Sequence, residues 1–375
     1  MARHLHLISF NIPFPPNYGG IIDVFYKLKT LAELDVKIIL HCFEYERPPA
    51  PALESYCEKV YYYKRKTGLM SNLSLLPYNV ISRKHPELIA NLLKDEYPIL
   101  FEGLHSCYYL SDPRLKGRFK VFRPANIEHD YYRYLASSSG NLIEKSFFCI
   151  EALRFKWYEP VAEGADHIVA VSLADADHLR RHYLPPVDFM PCFHANEAIT
   201  ILPGGSDYIL YHAKLSVPEN EKAAMYLTRH IFNKLPYRSV IAGMNPTPAL
   251  QELVSRYPNI TLVANPSQEQ MEQLIHEAHI HALITFQDTG LKLKLLNSLF
   301  AGRHIVANKM MLRGTGLESL CHLADSPEDF LQACHEKMKR PFTEEMIEER
   351  KQQLLPRFSN KYQGERLCEI LFSER

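Results

Sequence analysis

The chain alternates short apolar runs with stretches of helical periodicity, and the alternation stops once and then restarts. In the first half the runs are HLHLISF, VKIILHCF, KVYYYK, PILFEG, FKVFR and HIVAVS; in the second they are YILYHAKL, RSVIAGM, NITLVA, HALITF and RHIVAN. Runs this short and this apolar, with helices between them, predict a parallel sheet covered on both faces. After the first run, Ile21, Val24, Phe25, Leu28, Leu31 and Leu34 fall on one helical face, completing a first strand-loop-helix unit. The pattern lapses over 183–207, a stretch with prolines and two glycines, and resumes at Tyr208. The predicted organisation is an α/β chain with a first doubly wound domain over 1–185, a linker over 186–207 and a second such domain over 208–341. A charged helical tail over 342–375 is expected to pack back on the first domain. A length of 375 residues suits two domains, each with its own core.

Composition narrows the class of function. Lys plus Arg equals Asp plus Glu at 43 each, so no global field holds a polyanion, and nucleic acid is not an expected partner. The eight cysteines are scattered without a CxxC pair, which fits reduced thiols and disfavours zinc. MARHLHLISF leads straight into a strand without signal-peptide features, and no apolar run reaches the ~18 residues of a membrane span. The expected location is the cytoplasm, with peripheral contact at the inner face of the membrane.

In doubly wound sheets ligands sit beyond the carboxyl ends of the strands. Three loops there carry chemistry. NIPFPPNYGG ends in Gly19 and Gly20, which let the backbone approach a ligand as a helix opens, although a simple tight turn reads the same way. TGLKLKLLNSLFAGRHIVAN, at 289–308, puts Gly290 at a helix start, where backbone N–H groups favour phosphate, and leaves Lys292, Lys294 and Asn297 off the apolar face. YHAKLSVPENEKAAMYL supplies Lys214 and Lys222, a pair able to meet a diphosphate or to be ordinary surface charge.

Together these segments resemble the glycosyl transferases group 1 family, retaining enzymes of the GT-B fold with two Rossmann-like domains and a donor cleft between them. PPNYGG looks like the family's glycine loop, YHAKLSVPEN like the opening of its second domain, and the 289–308 segment like its donor-binding loop and helix. The resemblance implies a nucleotide-sugar donor bound by Gly19, Gly20, Lys214, Lys222, Thr289, Gly290, Lys294 and Asn297, with a glycan or lipid-linked acceptor. The family's two glutamates fall on Thr289 and Asn297, and both are replaced, which leaves the donor open. A histidine near the end of the fourth strand contacts the donor sugar in the family; His105 stands two or three residues beyond that position, and His129 is its rival. The implied activity is hexosyl transfer in surface polysaccharide or lipopolysaccharide assembly. It proceeds with retention, without a metal and without a cofactor, the nucleotide-sugar being a substrate.

Glycosyl transfer builds charge on a leaving diphosphate, which calls for lysines and helix N-termini there. Asp175-Ala-Asp177 spells a metal-binding DxD but falls in a helical stretch, and HEAHIH at 276–281 lacks the HExxH spacing of a zinc site. Residues 61–85 mix basic residues, tyrosines and leucines in a way that suits a membrane interface or a lipid-linked acceptor, and equally a plain helix-loop-helix packed on the sheet. Replacement of both glutamates keeps open a non-catalytic sugar-binding or assembly subunit, and the fold also accommodates a nucleotide-sugar epimerase or hydrolase.

Overall fold

A computed structural model describes residues 2–68, 71, 73–139, 141–286 and 292–373. The described chain divides into two compact units, residues 2–194 with 358–373 and residues 195–286 with 292–357.

The sheet of the first unit contains β1 (Arg3–Ser9), β2 (Val36–Glu44), β3 (Lys59–Lys64), β4 (Ile99–Glu102), β5 (Lys120–Arg123), β6 (His167–Ala170) and β7 (Val187–Phe189). Their order is β3-β2-β1-β4-β5-β6-β7, and every pair is parallel. Successive side chains leave a strand on opposite faces, so a sheet buried on both sides needs two cores. Leu5, Leu7, Leu100, Val121 and Val169 enter one core with Val24, Leu28 and Leu31 of helix Gly19–Glu33. Their strand neighbours Ile8, Phe101, Phe122 and Ile168 enter the other, with Leu88, Phe155 and Leu179 from helices Pro86–Leu92, Leu142–Tyr158 and Leu173–His182.

The second unit repeats the plan with β8 (Tyr208–His212), β9 (Arg238–Gly243), β10 (Ile260–Ala264), β11 (Ile280–Leu283), β12 (His304–Ala307) and β13 (His322–Leu323). The order is β10-β9-β8-β11-β12-β13, again all parallel. Ile209, Tyr211 and Ile241 face a core with Ala223 and Leu227, while Tyr208, Leu210 and Val240 face another with Ile275.

Each of the eleven apolar runs contains a strand. Two further strands fall outside them. β7 lies within the stretch read as linker, where three residues that include Asp188 are too short and too polar to signal a strand, and β13 is two residues long. The tail divides its contacts. Helix Asn360–Phe372 lies on helix Gly19–Glu33, where a Cβ on Gly364 would come within 2.6 Å of Thr30 Cγ2, and Leu367 and Leu371 join the first unit's core. The helix before it, Glu344–Phe358, is held in the second unit by Arg350, which donates to the carbonyls of Gly302 (2.6 Å) and Arg303 (2.8 Å).

Four charged side chains of the first unit are buried against one another. Lys27 Nζ lies 3.1 Å from Asp23 Oδ2 and 2.6 Å from Glu102 Oε1, and Arg123 Nε and Nη2 reach Asp23 at 3.0 and 3.1 Å. Asp23 also accepts from the N–H of Phe193 at 2.7 Å, and Arg123 donates to the carbonyls of Met190 and Pro191. Burial alone would raise the Asp23 carboxyl; Arg123 and Lys27 overcome that and hold it well below the carboxylate range. Two positive and two negative groups cancel, so removing one leaves a buried charge without its counter-ion. Lys27→Met is therefore expected to cost about 3–5 kcal/mol of stability, read as a fall in the urea midpoint of the first unit; an unchanged midpoint would contradict this role.

Candidate functional site

Both strand orders reverse direction once, between β1 and β4 in the first sheet and between β8 and β11 in the second. The crevice at such a reversal, beyond the carboxyl ends of the strands, is where doubly wound sheets bind ligands. Most of the sequence-derived candidates stand at these two places.

In the first unit, Gly19 opens helix Gly19–Glu33, whose first turn has no acidic residue and no side-chain cap. Such a start presents N–H groups suited to an anion. Gly20 is required by close approach, since a Cβ there would lie 2.8 Å from Phe10 Cζ. The same ring stands 3.4 Å from where a Cβ of Gly103 would be, and Gly103 has φ +70, a left-handed conformation suited to glycine. Phe10 thus joins the loop after β1 to the turn after β4, and His105 follows that turn with its ring edge-on to Phe10 at 6.2 Å.

His105 Nε2 lies 3.5 Å from Glu128 Oε2, and neither atom has a hydrogen-bond partner. Burial lowers the imidazole's pKa well below its usual value, helped by Arg83 and Arg65; burial, with Glu159 and Asp175, pushes the Glu128 carboxyl up to about 8. At neutral pH the pair is therefore an uncharged ring beside a carboxylic acid. Between them they offer a proton donor and an acceptor to a hydroxyl. Glu128 was not singled out in the sequence, where IEHD reads only as the acidic first turn of helix Glu128–Ser138.

His129 is placed differently. Its Nδ1 lies 2.6 Å from Glu159 Oε2, while Glu159 Oε1 receives His178 Nε2 at 2.8 Å and the Tyr183 hydroxyl at 2.9 Å. Among the described residues this is the group whose ligand atoms lie close enough to hold a metal, all within 4.8 Å of one another, yet its carboxylate already accepts from three donors. Asp177 of the DxD lies 3.1 Å from Arg180. In HEAHIH, His276 pairs with Thr200, His279 with Ser206 and Lys337, and His281 with Ile275. Those three rings have separate partners.

In the second unit, Lys294 and the Lys214 loop meet through Asn220. Lys294 Nζ donates to Asn220 Oδ1 at 2.9 Å, and Asn220 Nδ2 donates to the Lys214 carbonyl at 3.1 Å. Lys294 stands over the Tyr211 ring, and burial lowers its pKa to about 8 against an opposing pull from Glu219. The end of β11 is pinned beside it. Asn308 accepts from Thr285 N at 3.2 Å and donates to Thr285 O at 2.8 Å, and the Thr285 hydroxyl bonds Glu219. At the end of β9, a Cβ on Gly243 would fall 1.7 Å from the Ala213 carbonyl oxygen, so the loop before Lys214 is in backbone contact with that strand. Lys222 is exposed, its ammonium 4.5 Å from the Phe286 ring centroid. Asn297 accepts from Asn196 at 2.8 Å. Thr289 and Gly290 lie outside the described residues. Glu219 and Asn220 end the YHAKLSVPEN segment, and Thr285 and Asn308 lie in the runs HALITF and RHIVAN, but nothing in the sequence gives any of the four its partner.

No protein-family model matches the chain. It is 23% identical over 347 residues, covering 88% of this chain and 89% of the other, to an uncharacterized 44.6 kDa protein in the cps region of Klebsiella pneumoniae. Its fold matches that of HepE from Anabaena, solved with UDP and glucose (TM-score 0.66, 11% identity, 99% of both chains). It also matches a TarM variant from S. aureus solved with fondaparinux, alpha-GlcNAc-glycerol and UDP (TM-score 0.66, 8% identity, 99% and 100% of the two chains). Two parallel sheets of 7 and 6 strands that match these proteins define a chain of the GT-B fold.

The Glu159 network sets a pH window. Burial raises the Glu159 carboxyl, but hydrogen bonds from His129 and His178 outweigh it and bring the pKa to about 2, below the ordinary 4.5. Its stabilisation is therefore complete above 4.5 and lost as pH falls toward 2. His178 is raised above 6.5, chiefly by its bond to Glu159, so its share is complete below 6.5 and lost as pH rises through the raised value. The stability difference between wild type and Glu159→Gln should be largest between 4.5 and 6.5 and narrow on both sides, in urea titrations across pH. A difference independent of pH would show that Glu159 is not ionised.

Proposed function

We propose that the chain is a glycosyltransferase of the hexosyl type, moving a sugar from a nucleotide-sugar to a glycan or lipid-linked acceptor. We infer transfer with retention, without a metal, in surface polysaccharide or lipopolysaccharide assembly in the cytoplasm. The observation that carries the reading is the half-buried Lys294, joined through Asn220 to the Lys214 loop at the reversal point of the second sheet. A lysine drawn out of water there suits a ligand that brings its own negative charge.

On this reading the ammonium groups of Lys214 and Lys294 take up the charge that grows on the diphosphate as the glycosidic bond of the donor breaks. The uncharged pair of His105 and Glu128 holds a sugar hydroxyl, donating and accepting without a change of net charge. Same-face attack needs no carboxylate nucleophile, so loss of the two family glutamates leaves the bond-breaking step intact. HepE and TarM were solved with UDP, which makes uridine diphosphate the first nucleotide to try, and the Klebsiella relative's cps region fits the proposed pathway.

A second reading, a sugar-binding or assembly subunit without turnover, draws on one observation. Asn297, at a position where the family has the second of its two glutamates, has its side-chain oxygen engaged by Asn196. Calorimetry against UDP, GDP, ADP, CMP and TDP and their sugars, with and without magnesium, followed by product analysis, separates the two. One diphosphate bound without metal, with sugar transferred from its ester, is the expected result; binding without turnover favours the subunit, and no binding across the panel removes the donor site.

Lys214→Ala and Lys294→Ala should each weaken diphosphate binding by about tenfold or more, the loss of a charge-assisted contact of ~1.5–3 kcal/mol. A bound diphosphate raises the Lys294 pKa above its free value of about 8, so affinity should fall as pH rises above that free value, and Lys294→Arg should flatten the profile. Normal binding by both alanine variants would move the site elsewhere.

A further inference from the structure

The outward face of helix Leu142–Tyr158 is apolar. Ile143, Phe147, Ile150, Leu153 and Trp157 are all exposed, Ile143 at 82% and Trp157 at 73%, while Ala152 and Phe155 on the inward face fill the core. Leu73 and Leu75, exposed at 78% and 88%, stand on the segment that leads to Tyr78. That segment is fastened to the helix: the Tyr78 N–H donates to Glu151 Oε2 at 2.8 Å, and the Tyr78 ring lies 6.5 Å from that of Phe147. Exposed side chains of this size occur singly on most proteins, but a grouping of this kind marks a surface that something covers.

The charge beside the patch is mostly positive. From residue 59 to residue 86 the chain has six Lys or Arg and no Asp or Glu. Arg65 and Arg83 are used internally, Arg65 donating to Ser82 Oγ and Arg83 to the Phe10 carbonyl. Lys59, Lys64, Lys66 and Lys84 remain exposed, and the helix adds exposed Lys145 and Lys156 against a single exposed acid, Glu144.

This chemistry selects the occupant. Lysine is depleted from protein–protein contacts, whereas an apolar stripe with Trp and flanking lysines suits the boundary between acyl chains and anionic headgroups. The helix has 17 residues, and no helix among the described residues is long and apolar enough to cross a membrane, so contact would be along the surface. We propose that the outer face of helix Leu142–Tyr158, with Leu73 and Leu75, seats the first unit on an anionic membrane, the neighbouring lysines lying at the headgroups. The proposal stands on this surface alone and holds whether or not the chain transfers sugar.

Trp157 is the chain's one tryptophan, so it reports on the patch directly. With phosphatidylglycerol-rich vesicles its emission should move to shorter wavelength and the full-length protein should co-sediment; with phosphatidylcholine alone neither should occur. Ile143→Glu with Leu153→Glu should lower the bound fraction about tenfold or more, and Lys64→Glu with Lys66→Glu about fivefold or more, most strongly at low salt. All four positions are exposed, and an unchanged thermal transition confirms that the variants fold. Unchanged Trp157 emission with both vesicle types, or variants that sediment like wild type, overturns the proposal. So does self-association in sedimentation equilibrium that Ile143→Glu abolishes while vesicle binding persists, since the patch would then belong to a second copy of the chain.

Discussion

The buried quartet of Asp23, Lys27, Glu102 and Arg123 fixes the geometry of the first unit. Its members come from the helix after β1 and from the last residues of β4 and β5, and its hydrogen bonds reach Met190, Pro191 and Phe193 beyond β7. Burying four charges carries a large desolvation cost, and mutual pairing offsets it only if each partner keeps its place. The helix cannot slide along the sheet, nor the strand ends separate, without exposing one charge to a low-dielectric interior. The candidate ligand residues are the immediate neighbours of these anchors: Gly20 stands three residues before Asp23, Gly103 follows Glu102, and Glu128 follows the loop after Arg123.

The second unit reaches a comparable arrangement largely with uncharged hydrogen-bonding groups. Asn308 pins both backbone groups of Thr285, Asn220 spans the Lys214 loop and Lys294, and Ser298 links His212 and His281 in the interior at 3.1 and 3.2 Å. Burial brings His212 down to about 4 and keeps His281 well below its usual value, so both rings are neutral. The charge at the edge of the unit then comes from lysines beside the loops, Lys214 exposed and Lys294 half-buried. Paired charges at the strand ends of one unit and hydrogen-bonded neutral side chains at those of the other are different solutions to the same requirement, that strand ends be rigid where ligands bind.

The fold was legible in the sequence because its signal is local. A strand buried on both faces must be apolar for several residues in succession, and all eleven such runs became strands, whereas β7 and β13 are too short to repeat any period. Gly20 was legible because it sits in a visible Gly-Gly, whereas Gly103, a lone glycine at the end of an apolar run, shows its demand only as a φ of +70. Partnerships were not legible. Glu128 meets His105 across 23 positions, Asn220 meets Lys294 across 74, and the Asp23–Arg123 bonds span 100. Such pairs follow from strand order, which apolar periodicity does not encode. His129 shows the limit from the other side: its place after β5 is readable, but its engagement by Glu159, 30 residues on, is not.

Charge distribution shows how far a whole-chain quantity can mislead. A formal net charge of zero implies no long-range field, and that inference is sound for a polyanion large enough to sense the whole molecule. At about 10 Å, the Debye length at 0.1 M salt, the relevant quantity is the local one. The stretch from 59 to 86 has six basic residues and no acid, so the compensating acids must lie elsewhere along the chain. Of those six, the fold turns two guanidinium groups inward to hold Ser82 and the Phe10 carbonyl and leaves Lys59, Lys64, Lys66 and Lys84 exposed. Arginine's planar fork suits the internal role and the flexible, strongly hydrated lysine the external one. The same basic segment therefore serves two ends: its arginines brace the loop behind the candidate site, and its lysines give one side of the first unit a sign that the chain as a whole does not have.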